Sequence, residues 1–192
     1  VDRLDGIVYT HSHFDHIGGF DDIRALNFTS RRAMPLYLTD DTLVRLKRSF
    51  FYAFGETEQR GGGVPMVEPV IIDKQAFDVG SIHFNPVSLK HGKLDVLGFR
   101  IGNFAFCTDT NFIPDDSMEI LEGLEYLIID ALRYTPHSTH FSIAQAIEAA
   151  EILKPATTYL IHSAHEIKHE ECEKELPENI KLAYDGLVIE CR

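Results

Sequence analysis

The sequence predicts a mixed α/β layered domain in which strands outnumber helices. Three observations carry this expectation. Most of the apolar runs are short, bounded by glycine or proline, and of strand length. Several of these runs follow one another with no helical pattern between them, which excludes a simple alternating βαβ chain. The clearest helical period lies between two strand-like runs. The 192 residues suffice for one domain with a sizeable core, and one domain over residues 1–192 is the expectation.

Residues 4–10 read as a strand. Residues 21–28 read as a short helix that follows a turn at Gly18-Gly19. A strand at 35–39 and a helix at 41–54 come next, then a glycine-rich loop over 55–66 that is expected to be mobile and near the site. Strands are expected at 67–72, 82–89, 97–101 and 104–108, the last two forming a hairpin through Gly102-Asn103. Residues 126–130 are a continuous apolar run, as in a buried strand. Residues 142–153 are the best helix. Ile143, Ala146, Ile147 and Ala150 recur at helical spacing, Ser142 and Gln145 form a capping box, and Pro155 stops the run. A strand at 157–161, a short helix near Glu170 and strands at 181–184 and 187–191 complete the reading. The chain starts at Val1, directly before the first strand, so an N-terminal segment is expected to precede this numbering.

The net charge of −12, from 30 acidic and 18 basic residues, argues against a long polyanionic partner such as duplex DNA or tRNA. No apolar run approaches the roughly 18 residues of a membrane span. Cys107, Cys172 and Cys191 form no CxxC pair, which fits a reducing, cytoplasmic compartment rather than a disulfide framework. The oligomeric state is left open, a homodimer being one option.

Ten histidines are present, and they cluster. His11, His13, Asp15 and His16 occupy one short run, HSHFDH, directly after a strand. Imidazole and carboxylate suit zinc and related borderline metals. Alternate side chains of a tight loop share a side, so His11 and His13 can serve one ion while Asp15 and His16 face a second. A solvated polar turn is the bland alternative, and the density of the pattern disfavours it.

The run resembles the HxHxDH signature of the metallo-β-lactamase superfamily. His91, Asp109 and His162 follow in order, each at the end of an expected strand. The resemblance implies a four-layer αββα sandwich, a single metallo-hydrolase domain that here lacks some N-terminal strands. It implies that His11, His13 and His91 bind one metal, that Asp15, His16 and His162 bind the other, and that Asp109 bridges them. Two divalent ions are expected, zinc first, with manganese or iron compatible. Asp15 counts with the catalytic residues as well as the ligands. The ions would outweigh the two carboxylates and attract an anionic substrate even on an acidic protein.

The segments Gly18-Gly19-Phe20-Asp21-Asp22, Cys107-Thr108-Asp109-Thr110-Asn111, Pro136-His137-Ser138-Thr139-His140, Leu160-Ile161-His162-Ser163-Ala164-His165 and Ala183-Tyr184-Asp185-Gly186 are similar to the phosphoribosyl cyclic phosphate phosphodiesterase (PhnP) group. That similarity implies hydrolysis of a small or cyclic phosphodiester by a metal-bridging hydroxide, with His140 protonating the leaving oxygen. His137 is the alternative acid. His137 and His165 are candidate substrate contacts, His165 being equally readable as structural. His83 and His169 read as structural and solvated. The aromatic stretch 50–54 reads first as core and second as a substrate-facing wall. Three other readings compete: a tRNase Z-like RNA-processing endonuclease, a thioester or β-lactam hydrolase, and a metal-binding domain without catalysis.

Overall fold

The computed structural model describes residues 3–55 and 63–191. The part of the expected loop at 56–62 lies outside the described residues. Backbone contacts divide the chain into two compact units, residues 1–82 and 83–192.

The first unit opens on β1 (Ile7–Val8), which pairs in parallel with β2 (Met34–Leu38), and β2 pairs in parallel with β3 (Val67–Ile71). Alternate residues Met34, Leu36 and Leu38 of β2 are buried, as the period of two requires. The strand expected at 4–10 is thus shorter. After it the chain is helical from residue 14 to residue 30, as α1 (Phe14–Ile17), a 3-10 segment (Gly18–Asp22) and α2 (Ile23–Ser30). The expected turn at Gly18-Gly19 is absent, because Gly18 adopts ordinary right-handed helical angles.

The helix expected over 41–54 is two helices, α3 (Asp40–Ser49), capped by the Thr39 hydroxyl, and α4 (Phe51–Phe54). They part at Phe50, which leaves helical geometry while its side chain stays buried. Phe20 packs against Phe50 and Phe54 at 4.6 and 5.7 Å between ring centroids. Most of the aromatic stretch therefore belongs to this unit's core, as the first of its two readings has it, with Tyr9, Ile17, Leu36, Leu38 and Leu46. An unexpected short strand, β4 (Phe77–Val79), closes the unit.

In the second unit, β5 (Ile82–His91) and β6 (Leu94–Ile101) form a hairpin through Gly92-Lys93. The expected break before residue 97 does not occur. Gly92 takes φ of +63°, and a Cβ there would lie 2.7 Å from Thr139 Cγ2, so both conformation and space demand glycine. The second hairpin, β6 to β7 (Phe104–Cys107), forms as expected. A short helix α5 (Asp115–Ile120) precedes the buried strand β8 (Tyr126–Asp130). Next come α6 (Ile143–Leu153), with the Ser142–Gln145 capping box in place, β9 (Thr157–Ile161), α7 (His169–Cys172) and β10 (Ile180–Leu182).

The strands run side by side in the order β10-β9-β8-β7-β6-β5, with β7 to β10 mutually parallel. The strand expected at 187–191 does not form. Val87, Leu89, Ala105, Leu127, Ile129 and Leu160 from the sheet pack with Ala146, Ala150 and Leu153 of α6. Among the described residues no helix is long and apolar enough to cross a membrane.

Candidate metal centre

In the first unit, His11 and His13 lie on the segment between β1 and α1, and Asp15 and His16 lie in α1 itself. His11 is buried, and its ring lies 4.6 Å from that of His13 and 4.2 Å from that of His16. The Thr10 hydroxyl sits 3.1 Å from His11 Nδ1. Asp15 Oδ2 lies 3.5 Å from His16 Nε2. Such packing of imidazoles and a carboxylate suits shared ligation, because protonated imidazoles would repel at this distance.

The second unit supplies its groups along one edge of its sheet. β5 runs parallel to β7, β8 and β9, because two antiparallel hairpin steps separate it from β7. Their C-terminal ends coincide. His91 ends β5, Asp109 follows β7, Asp130 ends β8 and His162 follows β9. Strand C-termini at one edge are the usual place for a site in an α/β sheet.

Asp109 is buried beneath two histidines. Its Oδ2 lies 3.9 Å from His91 Nε2 and its Oδ1 3.5 Å from His162 Nε2. Two ligand atoms on one tetrahedral ion with bonds near 2.1 Å stand about 3.4 Å apart. One carboxylate therefore presents a different oxygen to each of two histidines at ligand-like spacing. Thr108 donates its hydroxyl to Asp109 Oδ1 at 2.6 Å. His91 Nδ1 donates to the Thr139 carbonyl at 2.7 Å, which leaves the lone pair on Nε2, the tautomer a ligand needs.

The backbone is also special here. Asp109 and His162 take φ of +53° and +62°. Among the described residues the other left-handed non-glycine positions, Arg31 and Lys154, are ordinary helix C-caps. At Asp109 and His162 no helix ends. Such conformations cost of order 1–3 kcal/mol each, and they persist where function fixes them.

His140 lies near two ligand candidates, with ring centroids 4.5 Å from His91 and 4.8 Å from His162. Its Nδ1 lies 2.8 Å from Asp130 Oδ2, and the same oxygen accepts the Thr110 N–H at 3.0 Å. Asp130, His140 and His162 thus bring ligand-type atoms within 4.8 Å of one another. Burial pushes the Asp130 carboxyl up to about 8, with the Asp109 charge acting in the same direction. Burial likewise disfavours the imidazolium and takes His140 down to about 4. Burial thus favours the pair with both groups neutral.

His137 comes near His140, at 5.3 Å between rings, and its Nδ1 accepts from the Thr139 N–H at 3.3 Å. His165 is exposed on the turn after β9, and His83 is exposed on β5. His169 stands near Glu173 on α7. The residue that sequence reasoning missed is Asp130. Its apolar run, Tyr126-Leu127-Ile128-Ile129, hid it as the polar end of a strand. Its position level with Asp109 and His162 at three parallel strand ends is the signal that could have found it.

A family model for the β-lactamase superfamily domain matches residues 1–163. Among solved structures, the chain is similar to a diphosphatase from the PhnP family. The two are 40% identical, with a TM-score of 0.89, over 97% of this chain and 70% of that one. It is also similar to the metallo-β-lactamase fold protein YhfI from Bacillus subtilis (18% identity, TM-score 0.73, 96% and 76% covered). Human tRNase Z, short form, gives 16% identity and a TM-score of 0.68 over 98% and 80%. At these two identities the likeness is one of fold. A curated relative, an octanoyltransferase from Porphyromonas gingivalis, is 33% identical over 189 residues, 97% of this chain. The chain spans 38% of that protein's length.

Proposed function

The chain belongs to the β-lactamase superfamily, and from that membership we propose that it is a dinuclear phosphodiesterase acting on small or cyclic phosphodiesters. Its fold is that of metal-dependent hydrolases, and its histidines and aspartates are of the kind that hold divalent ions. In the proposed centre His11, His13 and His91 hold one ion, Asp15, His16 and His162 hold the other, and Asp109 is shared. The two units then act as a single metallo-hydrolase domain. The observation that carries the reading is Asp109, whose two oxygens face two different histidines. The ions, zinc first and manganese or iron as alternatives, would lower the pKa of a shared water and stabilise charge on phosphoryl oxygens.

The chain's own groups supply the rest. Asp130 fixes the His140 ring through Nδ1, so that the transferable proton sits at Nε2. With both groups neutral the pair tolerates burial, and as Nε2 gives its proton to the leaving alkoxide the carboxyl proton passes to Nδ1, so that the negative charge comes to rest on Asp130. His137 stands behind His140 as a further donor toward substrate oxygens, and His165 is kept as an outer contact. The net positive centre selects a small anion, and the acidic remainder of the chain disfavours a long nucleic acid.

The His140→Ala variant tests the assignment. Turnover of alkyl phosphodiesters should fall about 10²- to 10⁴-fold with metal content unchanged. Full retained activity on them would remove His140 from the reaction.

The PhnP-family neighbour, a diphosphatase, favours a second reading in which the scissile link is a diphosphate. A phosphate leaves without needing a proton, so the same variant should lose little on diphosphates. An octanoyl thioester belongs in the same screen, because the octanoyltransferase name attaches to a protein of which this chain spans only a part.

A further inference from the structure

Phe14 occupies the variable position between two metal-ligand candidates, His13 and Asp15. It is 71% exposed, and both flanking residues are exposed with it. The other strongly exposed phenylalanines have apolar or aromatic company. Phe28 lines a groove with Arg31 and Met66, Phe51 meets Tyr52 edge-on, and Phe112 lines a groove with Met118 and Ile152. Phe14 leans instead on Gly18, one helical turn ahead, where a Cβ would stand 3.4 Å from its Cε1. Gly18 sits in right-handed helical geometry and needs no glycine for its backbone. What it provides is room beside the ring. Below this turn, Asp21 is fixed by Arg24 at 2.5 Å and by the Tyr52 hydroxyl at 2.7 Å, so the segment carrying Phe14 is anchored. A phenyl group held in water costs burial free energy unless something covers it.

We infer that Phe14 is a stacking face for the substrate, and that the substrate class is therefore a nucleotide: a phosphate-bearing group for the metal centre joined to a planar base for Phe14. This rests on the phosphoester reading above and narrows it. Aromatic–base stacking is tolerant of base identity, so the preference is for any nucleobase over none.

The chain has no tryptophan, so Phe14→Trp installs a single fluorophore at this position. In the zinc-loaded variant, AMP should quench the indole saturably, and ribose 5-phosphate should not. In the zinc-loaded protein without substitution, calorimetry should show AMP binding tighter than ribose 5-phosphate. Phe14→Ala should weaken AMP binding about 5- to 150-fold and leave ribose 5-phosphate within twofold. Equal quenching and equal affinity for the two ligands, or a Phe14→Ala loss shared by both, would overturn the assignment. These readouts need no turnover. A quenching difference without phosphodiester hydrolysis leaves the stacking face standing and removes the reaction. Hydrolysis of base-bearing and base-free cyclic phosphates at equal kcat/KM, with Phe14→Ala unchanged on both, does the reverse.

Discussion

Three residues of the candidate site are defined by a second atom as much as by their own. His91 is oriented by the Thr139 carbonyl, Asp109 by the Thr108 hydroxyl, and His140 by Asp130. Asp130→Asn keeps the volume but turns an acceptor into an amide that also donates. The His140 ring then loses its fixed tautomer and angle. Turnover of alkyl phosphodiesters should fall about 10- to 100-fold, the scale of a misplaced catalytic group. Diphosphate turnover should change little, and zinc content should stay that of the parent. A loss shared equally by both substrates would mean that Asp130 serves only folding.

At the scale of elements, the sheet of the second unit makes the site by aligning strand ends. Gly98 is where that sheet is tightest. It pairs with Val87, and a Cβ would lie 2.8 Å from the Phe106 carbonyl and 2.9 Å from Leu89. Gly98→Ala must therefore shift β5 or β7, whose ends carry His91 and Asp109. We expect a loss of about 1–3 kcal/mol in denaturant unfolding, with weaker zinc retention. An unchanged midpoint would show the strands to be more pliant.

The same elements show what the sequence could reveal. The four ligand candidates in HSHFDH are legible because they are adjacent. His91, Asp109 and His162 are legible because each closes an apolar run. Asp130 closes one too, but it was masked by lack of a motif. The helix α6 is legible from its period and cap. β4 and α5 are not, being too short for a period to register. The break at Phe50 is invisible for a different reason: burial of one ring overrides a continuous helical pattern. The strand expected at 187–191 fails because alternation alone does not supply a partner edge.

For the molecule as a whole, the proposed metal centre would link metal and fold. Ions bind the native arrangement and not the unfolded chain, and ligand at about a thousand times its Kd adds roughly 4 kcal/mol. For a protein of this size that corresponds to a fall of roughly 8–16 °C in Tm on chelation. Thermal unfolding with and without a chelator measures it, and recovery on adding zinc shows the effect to be the metal's. A Tm indifferent to chelator would mean that the donor set stands without its ions.

The left-handed turns at Asp109 and His162 bear on which side chains these two positions accept. Coordination chemistry admits His, Cys, Asp and Glu. The backbone applies a separate test, which Asp, Asn and His pass several-fold more readily than other residues that carry a Cβ. The two filters overlap in aspartate and histidine, the residues found. Glutamate at 109 would satisfy the ion and meet its objection from the main chain, so exchange at these sites is closed to a substitution that metal chemistry alone would call conservative.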